Sequence, residues 1–438
     1  MASFKIVGGT PLKGSVQLGG AKNASFKLMI AAAMGTGESR LLNMSKIGDV
    51  EVTRSVLREI GVHVTRPGER TIYIDGNGLK TDVIPEPGSE KTRAATLYAG
   101  LLLHKKGRAV IPMPGGCALG ERPIERHLQA LESLGVTVER KESHMILTCK
   151  NLTGNRFRFP KKSHTGTEAM LLAASVAHGT SRIENAGLEP EIDDLIAFLN
   201  KMGAIIKRIE SGETIEVIGV KSLHSATHRV MADRNEAVSY ASMALATKGD
   251  VIVENANPLH LTSFLEKLEE VGAKFEIADY GIRFWYESPL LPSDITTGPE
   301  PKFMTDWQPL WTTLMTQAEG ISHVIEAVHN NRLAFTSELN KMGAKIKLYN
   351  PEVKDPANFY EFDNPLQDVN FHAAEITGPT GLSGCELTVP DLRGGATLVM
   401  AALIAKGESV VRGIEHIDRG YEHFEDRLRA LSASIERV

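Results

Sequence analysis

The sequence has little cysteine, with Cys117, Cys149 and Cys385 its only three in 438 residues. An odd number without the spacing of paired ligands argues against a disulfide framework or a zinc site, and it fits a reducing cytosol. No stretch approaches the roughly 18 uninterrupted apolar residues of a membrane-crossing helix. The N-terminal MASFKIVGG has no basic region followed by an apolar run, so no export signal is expected and the chain reads as cytoplasmic. Positive charge is not in excess either. The 49 lysines and arginines against 54 acids leave a net charge of -5, which offers no general attraction to nucleic acid or an anionic membrane. The P-loop spacing of four residues between a glycine and Gly-Lys-Ser/Thr is absent, so a nucleoside triphosphate is not indicated. No metal, no cofactor and no obligate protein partner is indicated, and any anion must be bound locally.

What is present is a repeat. An alanine-rich helix, a glycine, a β-branched run, a loop and a second helix recur six times. The glycine after the first helix is Gly37, Gly107, Gly179, Gly249, Gly320 and Gly407, at intervals of 70 to 72 residues and finally 87. Glycine there is expected to cap the helix with positive φ. The second helices end at Gly61, Gly135, Gly203, Gly272 and Gly343, in words such as LESLGVTV and LNKMGAKI, while the sixth has Ser432. The longer last interval reflects an insertion from about Lys345 to Ala374, expected as a surface loop. A chain of this length exceeds what one core usually organises, so two domains of three α/β units each are expected.

The repeat also serves as a ruler. Fourteen residues before each glycine, at the start of the first helix, stand Asn23, Arg93, Thr165, Asn235, Asp306 and Arg393, all polar. Amides at a helix start are unpaired and partly positive, so these positions suit an anion. N-capping would account for Asn23, Thr165, Asn235 and Asp306 but not for two arginines, which imply a bound anion or a carboxylate. Twelve residues after the glycine come Asp49, Glu191, Leu261, Arg332 and Arg419. The second repeat breaks this register, its Arg122 lying fifteen residues after Gly107, because its loop PGGCALGERP carries three extra residues.

Cys117 in that loop is flanked by glycines, and Arg122 nearby would favour its thiolate. It reads either as a nucleophile or proton donor, or as an incidental exposed thiol; Cys149 and Cys385 read as structural. Lys22, after LGGA at a helix start, is either an anion ligand or a solvated surface lysine. The arginines Arg93, Arg122, Arg332, Arg393 and Arg419 share one register and suit a ligand bearing carboxylate and phosphate. Among them Asp306 reads as a general base or as an N-cap.

These words together resemble the enolpyruvyl transferase family, in its branch acting on UDP-N-acetylglucosamine. The resemblance is carried by GSVQLGGAKNA, PGGCALGERP, ENAGLEPEI, PKFMTDWQ, NRLAFTSELNKMGA and HIDRGYEHFEDRLRALSASIERV, and it covers nearly the whole chain. It implies a two-lobed inside-out α/β barrel with three βαβαββ units per lobe. One lobe would be residues 1–21 and 232–438, including the chain's first strand, and the other residues 22–231. It further implies that Lys22, Asn23, Arg122, Arg332, Arg393 and Arg419 bind phosphoenolpyruvate. Cys117 would protonate the methylene carbon and can form a covalent phospholactoyl adduct; the epoxide antibiotic fosfomycin is expected to alkylate it. Asp306 would accept the proton of the sugar 3-hydroxyl, with Asp391 near the reacting centre. Arg93, Arg122, Pro123, Ile124, Glu125, Arg126, Lys162, Ser163, His164, Thr165, Asp306 and Val328 would hold the UDP-sugar. The chain departs from the family pattern at Gly48, at Leu188, in DRNEAVSYA, in SHTGTE and in the long loop after Lys345. Two alternatives are enolpyruvyl transfer to shikimate 3-phosphate, against which the cysteine loop argues, and a silent sugar-nucleotide-binding regulator.

Overall fold

The first helix of each repeat carries alanine, leucine and methionine around its circumference, and such a helix is stable only where all its faces are covered. The computed structural model describes residues 2–85, 93–113, 124–209, 211–363, 365 and 368–438. It meets the demand twice, in two compact units with separate apolar cores. One unit comprises residues 2–19 and 232–438, and the other lies within residues 20–231. In the latter, Lys22–Met34 packs on Tyr98–Lys106, which packs on His164–Ala174. In the former, Arg234–Ala246, Gln308–Met315 and Leu392–Ile404 pack on one another. Around each trio stand three sheets. Helices are inside and sheets outside, the inverse of an ordinary α/β barrel.

The second helices are amphipathic because only one face is covered. Pro190–Lys201, for instance, buries Ile192, Leu195, Ile196, Phe198 and Leu199. The connection is plainest in the third repeat. Strand Arg156–Arg158, helix His164–Ala174, strand Thr180–Glu184, helix Pro190–Lys201 and strands Ile205–Ile209 and Thr214–Ile218 follow in order. Thr180–Glu184 runs parallel to Arg156–Arg158 and antiparallel to Thr214–Ile218, which also pairs with Ile205–Ile209. This is a βαβαββ unit. Among the described residues five sheets have four strands; the sixth has three, with an isolated bridge from Val83 to Val110. Where the chain passes between units, edge strands are exchanged. Lys13–Gln17 precedes the helix Lys22–Met34 yet pairs with Asp250–Glu254, and Thr227–Arg229 precedes Arg234–Ala246 yet pairs with Glu38–Leu42. The first strand, Ser3–Val7, lies antiparallel between Glu408–Arg412 and Ser434–Arg437 and completes the sixth repeat.

The glycines after the second helices, Gly61, Gly135, Gly203, Gly272 and Gly343, all have positive φ. Ser432 takes the same conformation at φ 74°, so the sixth repeat keeps the geometry without the residue that adopts it most easily. Of the glycines expected to cap the first helices only Gly107 is itself the cap; Gly37, Gly179, Gly320 and Gly407 take positive φ beyond caps at Gly35, Ser175, Thr316 and Ala405, and Gly249 does neither. Lys248 takes the left-handed conformation at φ 56°, and a Cβ on Gly249 would lie 2.1 Å from the Leu12 carbonyl oxygen. Glycine is required there by close backbone approach. The inserted segment also differs from a plain surface loop. It joins strand Lys345–Tyr349 to strand Ala373–Gly378, and its Tyr360 is buried, with the Phe362 and His372 rings 4.9 and 5.0 Å away.

Replacing Ser432 by glycine is expected to stabilise the protein by about 0.5 kcal/mol, relief of left-handed strain being partly offset by glycine's unfolded-state entropy. Gly272→Ala, whose added Cβ meets open space, should cost roughly 1 kcal/mol through backbone strain alone. Urea denaturation midpoints test both, and unchanged midpoints would show that the left-handed positions carry no strain.

Candidate active site

The helix starts picked out by spacing are second helical residues rather than caps. Asn23, Thr165, Asn235 and Arg393 each follow the first residue of a helix. The capping side chains lie two residues earlier, at Ser163, Asp233 and Asp391, and accept from backbone amides in the first turn. Asp306 precedes the helix Gln308–Met315 and makes no cap. Capping therefore explains none of the four residues offered for it.

In the unit of residues 232–438 these starts are joined. The Asp306 carboxylate accepts from Arg332 Nη2 at 2.8 Å and from Arg393 Nε at 3.2 Å. Arg332 Nε donates to the Thr305 carbonyl at 3.3 Å, and its Nη1 lies 3.7 Å from Asp391 Oδ1. Both arginines are buried, whereas Asp306 and Asp391 are half-buried. Arg393 Nη1 donates to the Tyr421 hydroxyl oxygen at 3.1 Å. Tyr421 lies 2.7 Å from Ser239 Oγ, which donates to the Asn235 carbonyl at 2.7 Å. Trp307 Nε1 also donates to Asn235, at its side-chain oxygen, 2.8 Å away. Burial of Arg393 works against its charge, yet Tyr421, Asp306 and Asp233 outweigh that and raise its pKa. Burial raises the Tyr421 phenol, against the pull of Arg393, so Tyr421 serves as a neutral bridge. Arg419 is half-buried at the end of the short helix Glu415–Asp418, two residues before Tyr421. Val328 is half-buried in the turn after strand Gly320–Ile325.

In the unit of residues 20–231, Lys22 is not a solvated lysine. Its Nζ lies 2.8 Å from Asp49 Oδ2, with both side chains largely covered. Asp49 and Arg332 occupy corresponding positions in the first and fifth repeats, and each pairs with a group of opposite charge near the start of its repeat's first helix, Lys22 one residue before the position equivalent to Asp306. Asn23 is half-buried beside Lys22. Arg93 opens the 3-10 turn Arg93–Leu97. Ile124 is buried and precedes helix Glu125–Ser133; Glu125 pairs with Arg140 on the surface, and Arg126 is half-buried. Lys162 Nζ donates to Glu213 at 2.7 Å, Ser163 caps its helix, and Thr165 Oγ1 lies 2.8 Å from His127 Nε2. Cys117, Arg122 and Pro123 lie outside the described residues.

Sequence spacing missed Tyr421 and the pair Lys27–Glu168. Lys27 is 1% exposed and Glu168 0%, with Nζ 2.8 Å from Oε1. His164 Nε2 lies 3.1 Å from the same oxygen and 3.4 Å from Lys27 Nζ. Burial opposes protonation of His164, but the Glu168 carboxylate favours it more strongly than Lys27 opposes it, and the pKa is raised. The pair thus anchors the start of the helix that carries Ser163, His164 and Thr165. The available signal was a charge inside each of two apolar runs, FKLMIAAAM and EAMLLAA.

The sequence profile described as EPSP synthase (3-phosphoshikimate 1-carboxyvinyltransferase) matches residues 6–428. The chain belongs to the EPSP synthase family. Proteins named UDP-N-acetylglucosamine 1-carboxyvinyltransferase from Koribacter versatilis, Protochlamydia amoebophila and Halothermothrix orenii are 38, 39 and 38% identical to it. All of this chain is covered in each comparison, with 97, 95 and 100% of the relative. The enolpyruvyl transferase NikO from Streptomyces tendae has the same fold, with a TM-score of 0.86 at 22% identity over 100% of this chain and 99% of that one. An EPSP synthase structure from Acinetobacter baumannii gives a TM-score of 0.73 at 21% identity, covering all of both chains. Within the EPSP synthase family fold, the Asp306 cluster and the Lys22–Asp49 pair are two groups of polar side chains gathered at helix starts. Among the described residues no group of side chains is arranged to hold a metal ion, and no helix is long and apolar enough to cross a membrane.

Lys27→Met is expected to destabilise the protein by about 3–5 kcal/mol because Glu168 is left buried without its cation, while Lys27→Met with Glu168→Leu should recover most of that loss. Chemical denaturation measures both. A single variant as stable as wild type would show that Glu168 does not depend on Lys27.

Proposed function

We propose that the protein transfers the enolpyruvyl group of phosphoenolpyruvate to the 3-hydroxyl of UDP-N-acetylglucosamine and releases phosphate, the first committed step of peptidoglycan synthesis. The observation that carries this reading is the full-length likeness, at 37–39% identity, to proteins named for that acceptor. The geometry supports the chemistry. In the addition step the 3-hydroxyl oxygen bonds to C2 of phosphoenolpyruvate, its proton passes to Asp306, and C3 gains a proton from Cys117. In the elimination step the C2–O bond to phosphate breaks and C3 returns a proton, restoring the alkene. Lys22, Asn23, Arg122, Arg332, Arg393 and Arg419 would bind the carboxylate and phosphate, stabilising charge on the departing group. Arg332 and Arg393 now spend N–H donors on Asp306. A substrate carboxylate seated on them would draw on those donors and free Asp306 lone pairs for the acceptor proton. Asp391, at the start of the same helix as Arg393, would hold Arg332 in place.

Arg93, Arg122, Pro123, Ile124, Glu125, Arg126, Lys162, Ser163, His164, Thr165, Asp306 and Val328 would form the UDP-sugar subsite. With Glu125 engaged by Arg140, its contribution would come through the backbone at the helix start.

Phosphate release, measured with phosphoenolpyruvate and either UDP-N-acetylglucosamine or shikimate 3-phosphate, tests the proposal. Release is expected only with the UDP-sugar, and Asp306→Asn should lower kcat by roughly 100-fold or more, the usual worth of a general base. Cys117→Ser should likewise impair turnover. Release with shikimate 3-phosphate alone would replace the acceptor, and no release with either would leave the regulatory reading.

A further inference from the structure

Glu326 is an enclosed acid, 1% exposed, at the end of strand Gly320–Ile325. Its two oxygens collect four hydrogen bonds. Oε1 accepts from Thr297 Oγ1 at 2.9 Å and from the backbone amides of Val328 and His329 at 2.8 and 3.0 Å. Oε2 accepts from Thr305 Oγ1 at 3.0 Å. The Thr297 hydroxyl oxygen in turn accepts from the Ala327 amide at 2.8 Å. Thr305 immediately precedes Asp306, and its carbonyl receives Arg332 Nε. One carboxylate therefore ties the Asp306 segment to the turn that carries Val328. The inserted segment holds the same turn from its other side. The Glu361 amide donates to the Ala327 carbonyl at 2.7 Å, and the Glu326 amide donates to the His372 carbonyl at 2.8 Å.

Burying a carboxylate costs several kcal/mol, which a purely structural link between neutral donors does not require. What the acid supplies is acceptor capacity on both oxygens. A neutral amide of the same shape would offer one acceptor oxygen, and its NH2 facing Thr305 would reverse that bond and leave the hydroxyl proton to find another acceptor. We propose that Glu326 is a positioning residue for enolpyruvyl transfer, holding Asp306 in register with the Val328 turn so that base and acceptor hydroxyl meet. This rests on the acceptor reading given above. The same bonds assign the inserted segment a supporting part, since its backbone closes the turn that Glu326 organises.

The test is steady-state kinetics on the full chain, with both substrates varied, for wild type, Glu326→Gln, Thr305→Val and the double variant. Glu326→Gln is expected to lower kcat by about tenfold or more, the worth of one hydrogen bond to a charged group, and to raise KM for UDP-N-acetylglucosamine. KM for phosphoenolpyruvate should change less. Thr305→Val should act in the same direction, and the double variant should be no worse than Glu326→Gln alone, because both cut one link. A melting temperature that falls while kcat and both KM values stay at wild-type levels would mean a merely structural role and would overturn the proposal, as would additive losses. Should Glu326→Gln fail to fold, Thr305→Val decides, and unchanged kcat overturns the proposal. Turnover of shikimate 3-phosphate alone would instead sink the acceptor reading, and the same four proteins compared with that acceptor would still judge Glu326.

Discussion

A helix covered on every side can hold along its length only polar groups paired with one another, so side chains meant to meet a substrate sit at the helix ends. That constraint organises this molecule. Leu28 through Met34 and Leu398 through Leu403 are buried, and the groups proposed to bind and react lie in or just before the first turn. There the unpaired amides need acceptors. Ser163, Asp233 and Asp391 provide them as caps, which releases the next side chains, Thr165, Asn235 and Arg393, to point away from the helix backbone's own needs. Because all repeats obey the same rule, their chemistry accumulates at corresponding places within each unit.

The second consequence is electrostatic. Arg332 and Arg393 are almost fully buried, and an unpartnered guanidinium there would be costly. Asp306, Asp391 and the Tyr421 hydroxyl share the burden. The cluster keeps carboxylates that retain some solvent contact around arginines that have almost none. Lys27 and Glu168 solve a similar problem differently, by facing each other across two central helices with no solvent-facing member.

The architecture was largely legible because its markers are local. A left-handed residue after each second helix is dictated by the turn itself, so glycine recurs there, and spacing alone exposes six α/β repeats. A letter does not state its reason. Ser432 keeps the left-handed turn without glycine, and Gly249 is glycine for closeness to Leu12 rather than for φ. Spacing also put Asp306 and Arg393 at equivalent helix starts, where the structure has them 3.2 Å apart. It could not show that Tyr421 bridges Arg393 to Ser239, or that Glu326 reaches Thr297 and Thr305, because those contacts follow from how repeats pack around a common centre. The cysteine loop is marked in the sequence by its break in the repeat register, by its glycines and by family likeness, and its Cys117 lies outside the described residues. The inserted segment, with its PEVKDPANFYEFDNP, reads as a surface loop, yet Tyr360 and His372 within it are buried and pack together.

The strand Ser3–Val7 is held between Glu408–Arg412 and Ser434–Arg437. During synthesis it emerges long before either neighbour, since both lie in the sixth repeat. The unit within residues 20–231 emerges uninterrupted and has all its own strands by then. Strand Ser3–Val7 must therefore wait for its partners until the sixth repeat is made. Its alternating Phe4 and Ile6, fully buried in the finished sheet, are exposed during that interval. Assembly of this protein is thus a matter of timing as well as affinity: one unit can mature as it is made, whereas the other closes only when Ser3–Val7 meets the sixth repeat.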